Sequence, residues 1–279
     1  MPIPEDKIAA LPLPLLTMFY VLEARALATM KLPGLGLQDD LAVEVYQHKL
    51  TSTYVPQSDK SFIHLTGLRT LAFDNRVEEM LKASKNTMVI NLGCGLCTRH
   101  IRLQPNFKKQ IDWLNFDLRQ AIEIRKVVFP SQVTRFDRVY TNLLPLNWLA
   151  SFLALQNTEL LLIMEGVTPY LEQEVLNQFL FDLTEASIQA SKKVSLILDY
   201  KHPKLFLEEF DPANAALANV LKAGFTGPED ICGIHPAIKV TQILGDLLYQ
   251  DPSLAFLEIQ FKMKHNMDSP YNIVELSLG

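Results

Sequence analysis

The sequence is poor in cysteine and in clustered positive charge, and each shortage excludes a class of protein. Its three cysteines are an odd number, and Cys94 and Cys97 stand close together, so a disulfide framework is excluded. The 26 lysines and arginines are outnumbered by 31 aspartates and glutamates, which gives a formal net charge of -5. Basic residues occur in pairs such as Lys108-Lys109, and a nucleic-acid surface would need larger clusters. We therefore expect no nucleic-acid partner.

The N-terminal region lacks the features of a leader or a membrane anchor. The opening MPIPEDK is acidic on balance, and Pro12 and Pro14 interrupt the apolar stretch around them. A secretory signal needs a positively charged start and an unbroken apolar run, and a membrane span needs about 20 apolar residues. The sequence therefore predicts a cytoplasmic protein without a membrane partner.

The most informative stretch is TMVINLGCGLCTR, residues 87–99. Its apolar run predicts a buried parallel strand over 87–92, and Gly93 and Gly95 supply the backbone freedom for a sharp turn into a helix. Glycines let a ligand approach the backbone closely, and the N-terminus of the following helix presents unpaired N–H groups and a partial positive charge. This turn is a candidate ligand site.

A carboxylate further along the chain strengthens that interpretation. The stretch IDWLNFD, residues 111–117, predicts a second strand that ends in Asp117. In nucleotide-binding α/β domains an acid at this place, about 20 residues after the glycine turn, holds the ribose hydroxyls. Asp117 would also serve as the N-cap of the helix that follows, and both roles are compatible. The dinucleotide fingerprint needs a third glycine where this chain has Thr98, which favours a nucleoside ligand without a pyrophosphate, such as S-adenosylmethionine (SAM).

Cys94 and Cys97 form a C-x-x-C pair, which has two other interpretations. A zinc site would need a second cysteine pair or histidines at ligand spacing, and the nearest histidine, His100, falls in the same helical turn. A thioredoxin-like dithiol is the other alternative. The glycines in and beside the motif fit a ligand cradle better, so no metal site is predicted.

Four sequence blocks resemble the leucine carboxyl methyltransferase family of SAM-dependent enzymes, which includes the tetracenomycin-type polyketide O-methyltransferases. VINLGCGLCTRHIRL is similar to the family signature V-x-L-G-A-G-x-D-T-R-x-x-R-L. The other blocks, in the family's order, are RTLAFDNRV, NFDLRQAIEIRK and MEGVTPYLEQEVL. Cys97 stands where the family usually has Asp, and Asn142 where it often has Asp.

The resemblance implies roles for several charged residues. It places Arg69 against the carboxylate of SAM, and a guanidinium suits that role because it binds a carboxylate in a bidentate manner. Arg99, just after the glycine turn, either competes for the same role or pairs with Asp117. Glu165 follows a strand at the ligand-binding edge of the predicted sheet, and we expect it near the methionine ammonium or the substrate.

The resemblance and the sequence also indicate residues for the adenine and the acceptor. Asn142 and Leu143 mark the adenine-binding turn, where an amide side chain and a backbone N–H would contact the base. Tyr170 is expected to orient the acceptor through its hydroxyl. His202 is the one histidine that we place at the rim of the site, and its alternative role is that of a surface residue at a helix start.

The predicted fold is α/β, a class I SAM-dependent methyltransferase fold with a Rossmann-like, doubly wound and mostly parallel sheet. The alternating segments LAFLEIQFKMK and YNIVELSL predict the antiparallel end of that sheet. Residues 1–85 are expected to form an N-terminal helical cap, and residues 86–279 the SAM-binding core, with a helical insertion at about 202–245 after the fifth strand. The predicted strands cover 87–92, 111–117, 133–140, 159–166 and 193–200.

The function expected from these features is SAM-dependent O-methyl transfer to a carboxylate or phenolic oxygen of a small molecule or a peptide terminus. A carboxylate is already ionised at neutral pH, whereas a phenol needs a base, and no acid/base pair stands out. Two alternatives remain open at this point: an NAD(P)-dependent oxidoreductase, and a SAM-binding protein that has lost turnover. The sequence does not indicate the oligomeric state.

Overall fold

The structure, a computed structural model, describes residues 11–48, 60–84, 86–140, 142–206, 220–265 and 269–279. Seven strands form one sheet in the order β3-β2-β1-β4-β5-β7-β6. The strands are β1 (Thr87–Leu92), β2 (Asp112–Asp117), β3 (Asp137–Val139), β4 (Glu159–Met164), β5 (Val194–Lys201), β6 (Ile238–Ile243) and β7 (Tyr271–Leu278).

The sheet is mostly parallel, with one reversed strand near its end. Strands β1 to β5 pair in parallel, and β7 runs antiparallel to both of its neighbours, β5 and β6. The order reverses direction between β1 and β4, and the crevice at the carboxyl ends of such strands is where α/β sheets bind ligands. The predicted fold class is confirmed.

Helices cover both faces of the sheet, as its central strands require. In β4, alternate residues enter opposite core clusters: Leu162 faces the cluster that contains Phe179, while Ile163 faces the cluster that contains Phe73. The helices are α1 (Leu13–Lys31), α2 (Asp40–His48), α3 (Lys60–Ala83), α4 (Arg99–Leu103), α5 (Arg119–Val128), α6 (Ser131–Thr134), α7 (Ala150–Leu153), α8 (Gln173–Ala190), α9 (Pro228–Cys232) and α10 (Pro252–His265).

The segment before β1 is helical where the structure describes it. Helix α1 ends at Lys31, two residues before Pro33, and it packs against α2 and α3. Residues 1–10 and 49–59 of the predicted cap lie outside the described residues. Helix α1 is long and apolar enough to cross a membrane, and 56% of its apolar stretch is buried within the fold. In this structure α1 is a packed helix of the protein.

Three predicted elements differ from the structure. The third strand is short, because Ser131–Thr134 is helical and only Asp137–Val139 pairs with β2. The segment LAFLEIQFKMK lies in helix α10, where Leu254 and Phe261, seven residues apart, are buried on one face. The predicted helical insertion contains helix α9 and also strand β6, between residues 238 and 243, and its residues 207–219 lie outside the described part of the chain.

Candidate active site

The glycine turn after β1 is packed by protein side chains. Gly93 has φ +63° and Gly95 has φ +45°, in the left-handed region that glycine adopts without strain. A Cβ on Gly93 would lie 2.5 Å from Val167 Cγ2, and one on Gly95 would lie 3.3 Å from Met18 Cβ of α1. Close approach was expected from a ligand, but at these two Cα positions it comes from Val167 and Met18, neither of which the sequence analysis identified.

Asp117 ends β2 beside this turn. Its Oδ2 accepts a hydrogen bond from Gly95 N at 2.7 Å, and its Oδ1 accepts one from Leu118 N at 2.7 Å. An ionised carboxylate has about four lone-pair sites, so acceptor capacity remains for a ligand. The prediction that Asp117 is the N-cap of the next helix is wrong: α5 begins at Arg119 with Leu118 at its N-cap. Burial raises the pKa of Asp117, although the two N–H groups favour its charged form.

Arg125, which the sequence analysis did not select, supports the turn from α5. Its Nη1 donates to the carbonyl oxygens of Gly95 at 2.6 Å and Cys97 at 3.0 Å, while its Nε lies 2.8 Å from Asp137 Oδ2. The Arg125 side chain is fully buried. A buried cation with three fixed acceptors therefore holds the outer half of the turn in place.

Glu165 follows β4 on the other side of the crevice, between two arginines. Its Oε1 accepts from Arg69 Nε at 3.0 Å, and its Oε2 accepts from Arg99 Nη2 at 2.5 Å. Burial alone raises the pKa of Glu165, but Arg99 and Arg69 outweigh burial and lower it to about 2. Glu165 is therefore a permanently charged carboxylate at neutral pH.

The two arginines beside Glu165 differ in exposure. The Arg99 side chain is 0% exposed and is shared between Glu165 and Asp74, whose Oδ1 lies 2.6 Å from Arg99 Nε. The suggested pairing of Arg99 with Asp117 is wrong, because Arg99 is bound to these two other carboxylates. The Arg69 side chain is 12% exposed, so it keeps the more open position of the two.

Asp39 is the centre of a second buried ion cluster, which joins α1 to α4. It accepts from Arg25 Nε at 2.8 Å, Arg102 Nη1 at 2.9 Å and Thr98 Oγ1 at 2.7 Å. Burial alone raises the pKa of Asp39, but the charges of Arg102 and Arg25 outweigh burial and lower the pKa to about 2. Arg25 also donates to Leu96 O at 2.6 Å, so it anchors the loop and does not face a substrate or the solvent.

Two residues of these clusters that the sequence analysis missed, Asp74 and Arg102, had a signal in the chain. Arg102 also binds Asp74, with Nε 2.8 Å from Asp74 Oδ2. Asp74 and Arg102 both lie in blocks that resemble the family, five residues after Arg69 and three after Arg99. Asp39 lies outside those blocks, and no local pattern distinguishes it from a surface aspartate.

Asp199, at the end of β5, is a further buried carboxylate, and the hydrogen bonds that it accepts come from uncharged groups. Its Oδ1 accepts from Gly166 N at 2.7 Å, and the Tyr271 hydroxyl donates to Oδ2. Arg69 Nη1 lies 3.7 Å from Asp199 Oδ2, beyond hydrogen-bond distance. Burial raises the pKa of Asp199, and Arg69 opposes that shift without cancelling it.

The two residues predicted to serve the acceptor lie in different surroundings. The Tyr170 hydroxyl donates to Thr17 Oγ1 of α1 at 3.0 Å, and burial raises the Tyr170 pKa. His202 is 2% exposed, its Nδ1 accepts from Lys204 N at 3.1 Å, and its ring packs edge-on against Phe261. The prediction of His202 as an accessible rim residue is therefore wrong, because α10 covers it.

The remaining predicted contacts lie after β3 and on the glycine turn. Asn142 is exposed and Leu143 is buried, with the Leu143 carbonyl accepting from Trp148 Nε1 at 3.1 Å.

Burial raises the pKa of Cys94 well above its usual value, which disfavours a thiolate. The Cys97 Sγ lies 3.4 Å from Arg99 N, where the family usually places a carboxylate.

The glycine turn after β1, the carboxylate that ends β2 and the reversed strand β7 together define a class I methyltransferase fold. The family model for leucine carboxyl methyltransferases matches residues 24–184. The chain belongs to the leucine carboxyl methyltransferase family and is a SAM-dependent methyltransferase, as the sequence predicts. This result overturns the oxidoreductase alternative.

The first of two comparisons with solved structures agrees with this fold. A DUF574 family protein from Streptomyces avermitilis aligns with a TM-score of 0.52 and 11% identity, over 92% of this chain and 97% of that one. Magnesium protoporphyrin IX methyltransferase from Synechocystis PCC 6803 aligns with a TM-score of 0.45 and 12% identity, over 86% and 94% of the two chains. A search of curated protein sequences finds no match. At such low identities the comparison bears on the fold alone.

Proposed function

We propose that this methyltransferase transfers the methyl group of SAM to an oxygen, preferably a carboxylate oxygen of a small molecule or a peptide C-terminus. The observation that carries the proposal is the pair of buried carboxylates on either side of the crevice. Asp117 retains acceptor capacity beside the glycine turn, and Glu165 is held charged beside Arg69. SAM is a nucleoside joined to an amino acid, so its ribose hydroxyls match Asp117 and its amino-acid end matches Glu165 and Arg69.

The residues present fit SAM at each end. The lone pairs of Asp117 not used by Gly95 and Leu118 would accept hydrogen bonds from the two ribose hydroxyls. On the other side, Arg69 would bind the methionine carboxylate, and the remaining lone pairs of Glu165 would accept from the methionine ammonium. Charge of the right sign is therefore present at each position.

Three further residues complete the proposed cofactor contacts. Asn142 and the Leu143 backbone would contact the adenine, since Asn142 is exposed just after β3. Arg99 would act as a positioning residue and not as a cofactor contact, because its guanidinium is fully buried and fixes Glu165 in place. We also propose that the helices before β1 form a cap, with Met18 on Gly95 and Thr17 on Tyr170 as its contacts with the core.

The chemistry requires little acid or base assistance from the protein. SAM supplies a methyl group on a sulfonium that is already electrophilic. The protein's contribution is to hold the acceptor oxygen in line and to exclude water, and positioning of this kind is worth about 7–11 kcal/mol of barrier. Tyr170, a hydroxyl beside the ion cluster, is our candidate for orienting the acceptor.

Protonation states favour a carboxylate acceptor over a phenol. Glu165, with a pKa of about 2, is too weak a base to deprotonate a phenol, and Asp39 with a pKa of about 2 is fully buried. His202 is covered by α10, Asp117 is assigned to the ribose, and Asp199 already accepts from Gly166 N and the Tyr271 hydroxyl. A carboxylate acceptor is already ionised at neutral pH and needs no base. A phenol therefore remains the second candidate within the same O-methyl transfer.

The test is methyl transfer from methyl-labelled SAM to matched pairs of aromatic and aliphatic acids and phenols, including short peptides. A methyl ester releases labelled methanol in mild base, whereas an aryl methyl ether does not. We expect base-labile label on carboxylates and none with Glu165→Gln, while Glu174→Gln, at an exposed position on α8, retains transfer. Base-stable label would assign a phenol, and SAM binding without transfer to any acceptor would support a protein that has lost turnover.

A further inference from the structure

Helix α10 carries an apolar ridge that faces away from the protein. The ridge consists of Phe256, Ile259 and Met263, which are 60%, 52% and 82% exposed. Their spacing of three and four residues places them on one face of the helix. Soluble proteins rarely expose several large apolar side chains in one stripe without a use for them.

The opposite face of α10 fixes the ridge to the body of the protein. Leu254 and Phe261 are 3% and 1% exposed, and the Phe261 ring packs against His202 at 5.2 Å between ring centroids. Helix α10 also contacts α3. The ridge is therefore presented by an anchored helix.

Charges beside the ridge are arranged symmetrically about its centre. Glu258 and Lys262 lie two residues before and two residues after Gln260, on one flank of the ridge, and their side chains pair at 3.1 Å. Phe256 and Met263 lie four residues before and three residues after the same point. If the direction of the helix is reversed, Glu258 and Lys262 exchange places, and so do Phe256 and Met263.

We propose that the ridge is the contact between two copies of this chain, packed as antiparallel α10 helices about a two-fold axis near Gln260. In that arrangement Phe256 contacts Met263 of the partner subunit, and Ile259 lies at the centre. Glu258 faces Lys262 of the partner subunit, and the reciprocal contact repeats it. A two-fold contact must be complementary to itself, and this order of charges satisfies that condition.

The charges favour a second copy over a lipid surface. An anionic membrane binds clusters of about four or more basic residues, whereas α10 carries Lys262 and Lys264 beside Glu258, and the chain has a formal net charge of -5. A single helix pair is a small interface, so we expect a dimer whose population depends on concentration.

The first test measures sedimentation velocity of the full chain from about 1 to about 100 µM. We expect the wild type to dimerise and Ile259→Glu to weaken the dimer at least tenfold. Val127→Glu, at a 59% exposed apolar position on α5, is the matched control and should leave the dimer unchanged. A wild type that stays monomeric, or equal losses in both variants, would overturn the proposal.

The second test exchanges charges between copies. Glu258→Lys and Lys262→Glu each place like charges across the axis, so each variant alone should dimerise more weakly than the wild type. A mixture of the two variants brings opposite charges together at both contacts, and the mixed dimer should recover. Loss of the pairing within one helix cannot produce that recovery, and circular dichroism checks that each variant is folded.

Two results would count against this assignment. Failure of the mixture to recover dimerisation would overturn the two-fold arrangement. Co-sedimentation of the wild type with phosphatidylcholine–phosphatidylglycerol vesicles, abolished by Ile259→Glu in a protein that stays monomeric, would assign the ridge to a lipid surface.

Discussion

The two sides of the crevice hold buried carboxylates by different means. On the β4 side Glu165 is bound by two arginines, as is Asp39 beneath the turn, and both have a pKa of about 2. Asp117 on the β2 side and Asp199 at the end of β5 are held by backbone N–H groups and a tyrosine hydroxyl, and burial raises the pKa of both. The identity of the neighbours, and not the depth of burial, decides the direction of the pKa shift.

The difference assigns separate tasks to the two kinds of site. A carboxylate between arginines is a fixed charge whose loss leaves buried cations uncompensated. A carboxylate held by neutral donors keeps spare acceptor capacity and remains able to take up a proton. We therefore expect the arginine-bound carboxylates to govern folding, with Glu165 also contacting the cofactor, and we expect Asp117 to govern the dependence of ligand binding on pH.

The largest expected effect is on stability, from Asp39→Ala. The variant leaves Arg25 and Arg102 buried without their shared counter-charge, which should cost about 3–5 kcal/mol in the free energy of unfolding. Urea denaturation measures it. Asp40→Ala, at the exposed neighbouring position, is the control and should cost less than about 1 kcal/mol. Similar losses in the two variants would remove the special role of the arginine-bound acid.

The next effect is on ligand binding, from Asp117→Ala. The loss of hydrogen bonds to a charged acceptor should weaken SAM binding by about 1.5–3 kcal/mol while the fold remains intact. Isothermal titration calorimetry with SAM and S-adenosylhomocysteine measures it, with Asp112→Ala at the exposed start of β2 as the control. A folded variant with unchanged affinity would refute the ribose contact.

The dependence on pH separates the two kinds of carboxylate. Asp117 accepts hydrogen bonds when ionised, so affinity for SAM should fall as pH drops through its raised pKa, by about tenfold per pH unit below it. Titration from about pH 6.5 to about pH 4, with circular dichroism as a check on folding, measures this. Asp117→Ala should show a flat profile over that range, and a profile as steep as that of the wild type would show that another group titrates.

Stability should respond to acid through the other pair. The folded-state pKa of about 2 for Glu165 lies below its ordinary 4.5, so its stabilisation is present above pH 4.5 and is lost as pH falls toward 2. Asp39 acts in the same direction from its ordinary 3.8. Asp117 has the opposite sign, because its raised pKa makes its ionised form less favourable in the folded state.

The smallest expected effect concerns a contact without charge. Tyr170→Phe removes the hydroxyl that donates to Thr17 Oγ1 and should cost about 0.5–1.5 kcal/mol in the free energy of unfolding. A double-mutant cycle with Thr17→Val isolates the coupling between the two hydroxyls. Additive losses would show that this bond does not join α1 to the core.

Sequence patterns predicted four of the five parallel strands, β1, β2, β4 and β5, to within one or two residues. Continuous apolar runs identify β1 and β4 because both faces of those strands are covered, and a glycine turn at the end of a strand points to the crevice. Asp117 followed from the strand that it ends, and the family blocks added Arg69 and Glu165 at that edge. The fold class and the family followed from these stretches.

The antiparallel end and the packing of the charges were beyond the reach of local pattern. The segment at 254–264 has enough apolar residues to fit either period, and its position against α3 decides for a helix. Strand β6 is an edge strand whose alternation of apolar and polar residues covers only 238–241, because the register shifts between Val240 and Gln242. Asp39 joins Arg102 from 63 residues away, a distance that only the tertiary structure closes.

The position of β7 inside the sheet has a consequence for the order of folding during synthesis. Strands β5 and β6 are both made before β7, yet β7 lies between them and is the strand to which each of them bonds on that side. Until residues 271–278 emerge, β5 and β6 each lack the strand that pairs with them, and their backbone N–H and C=O groups stay open to pairing with other chains. A ribosome that pauses between β6 and β7 would therefore prolong the period in which the nascent chain is most prone to aggregate.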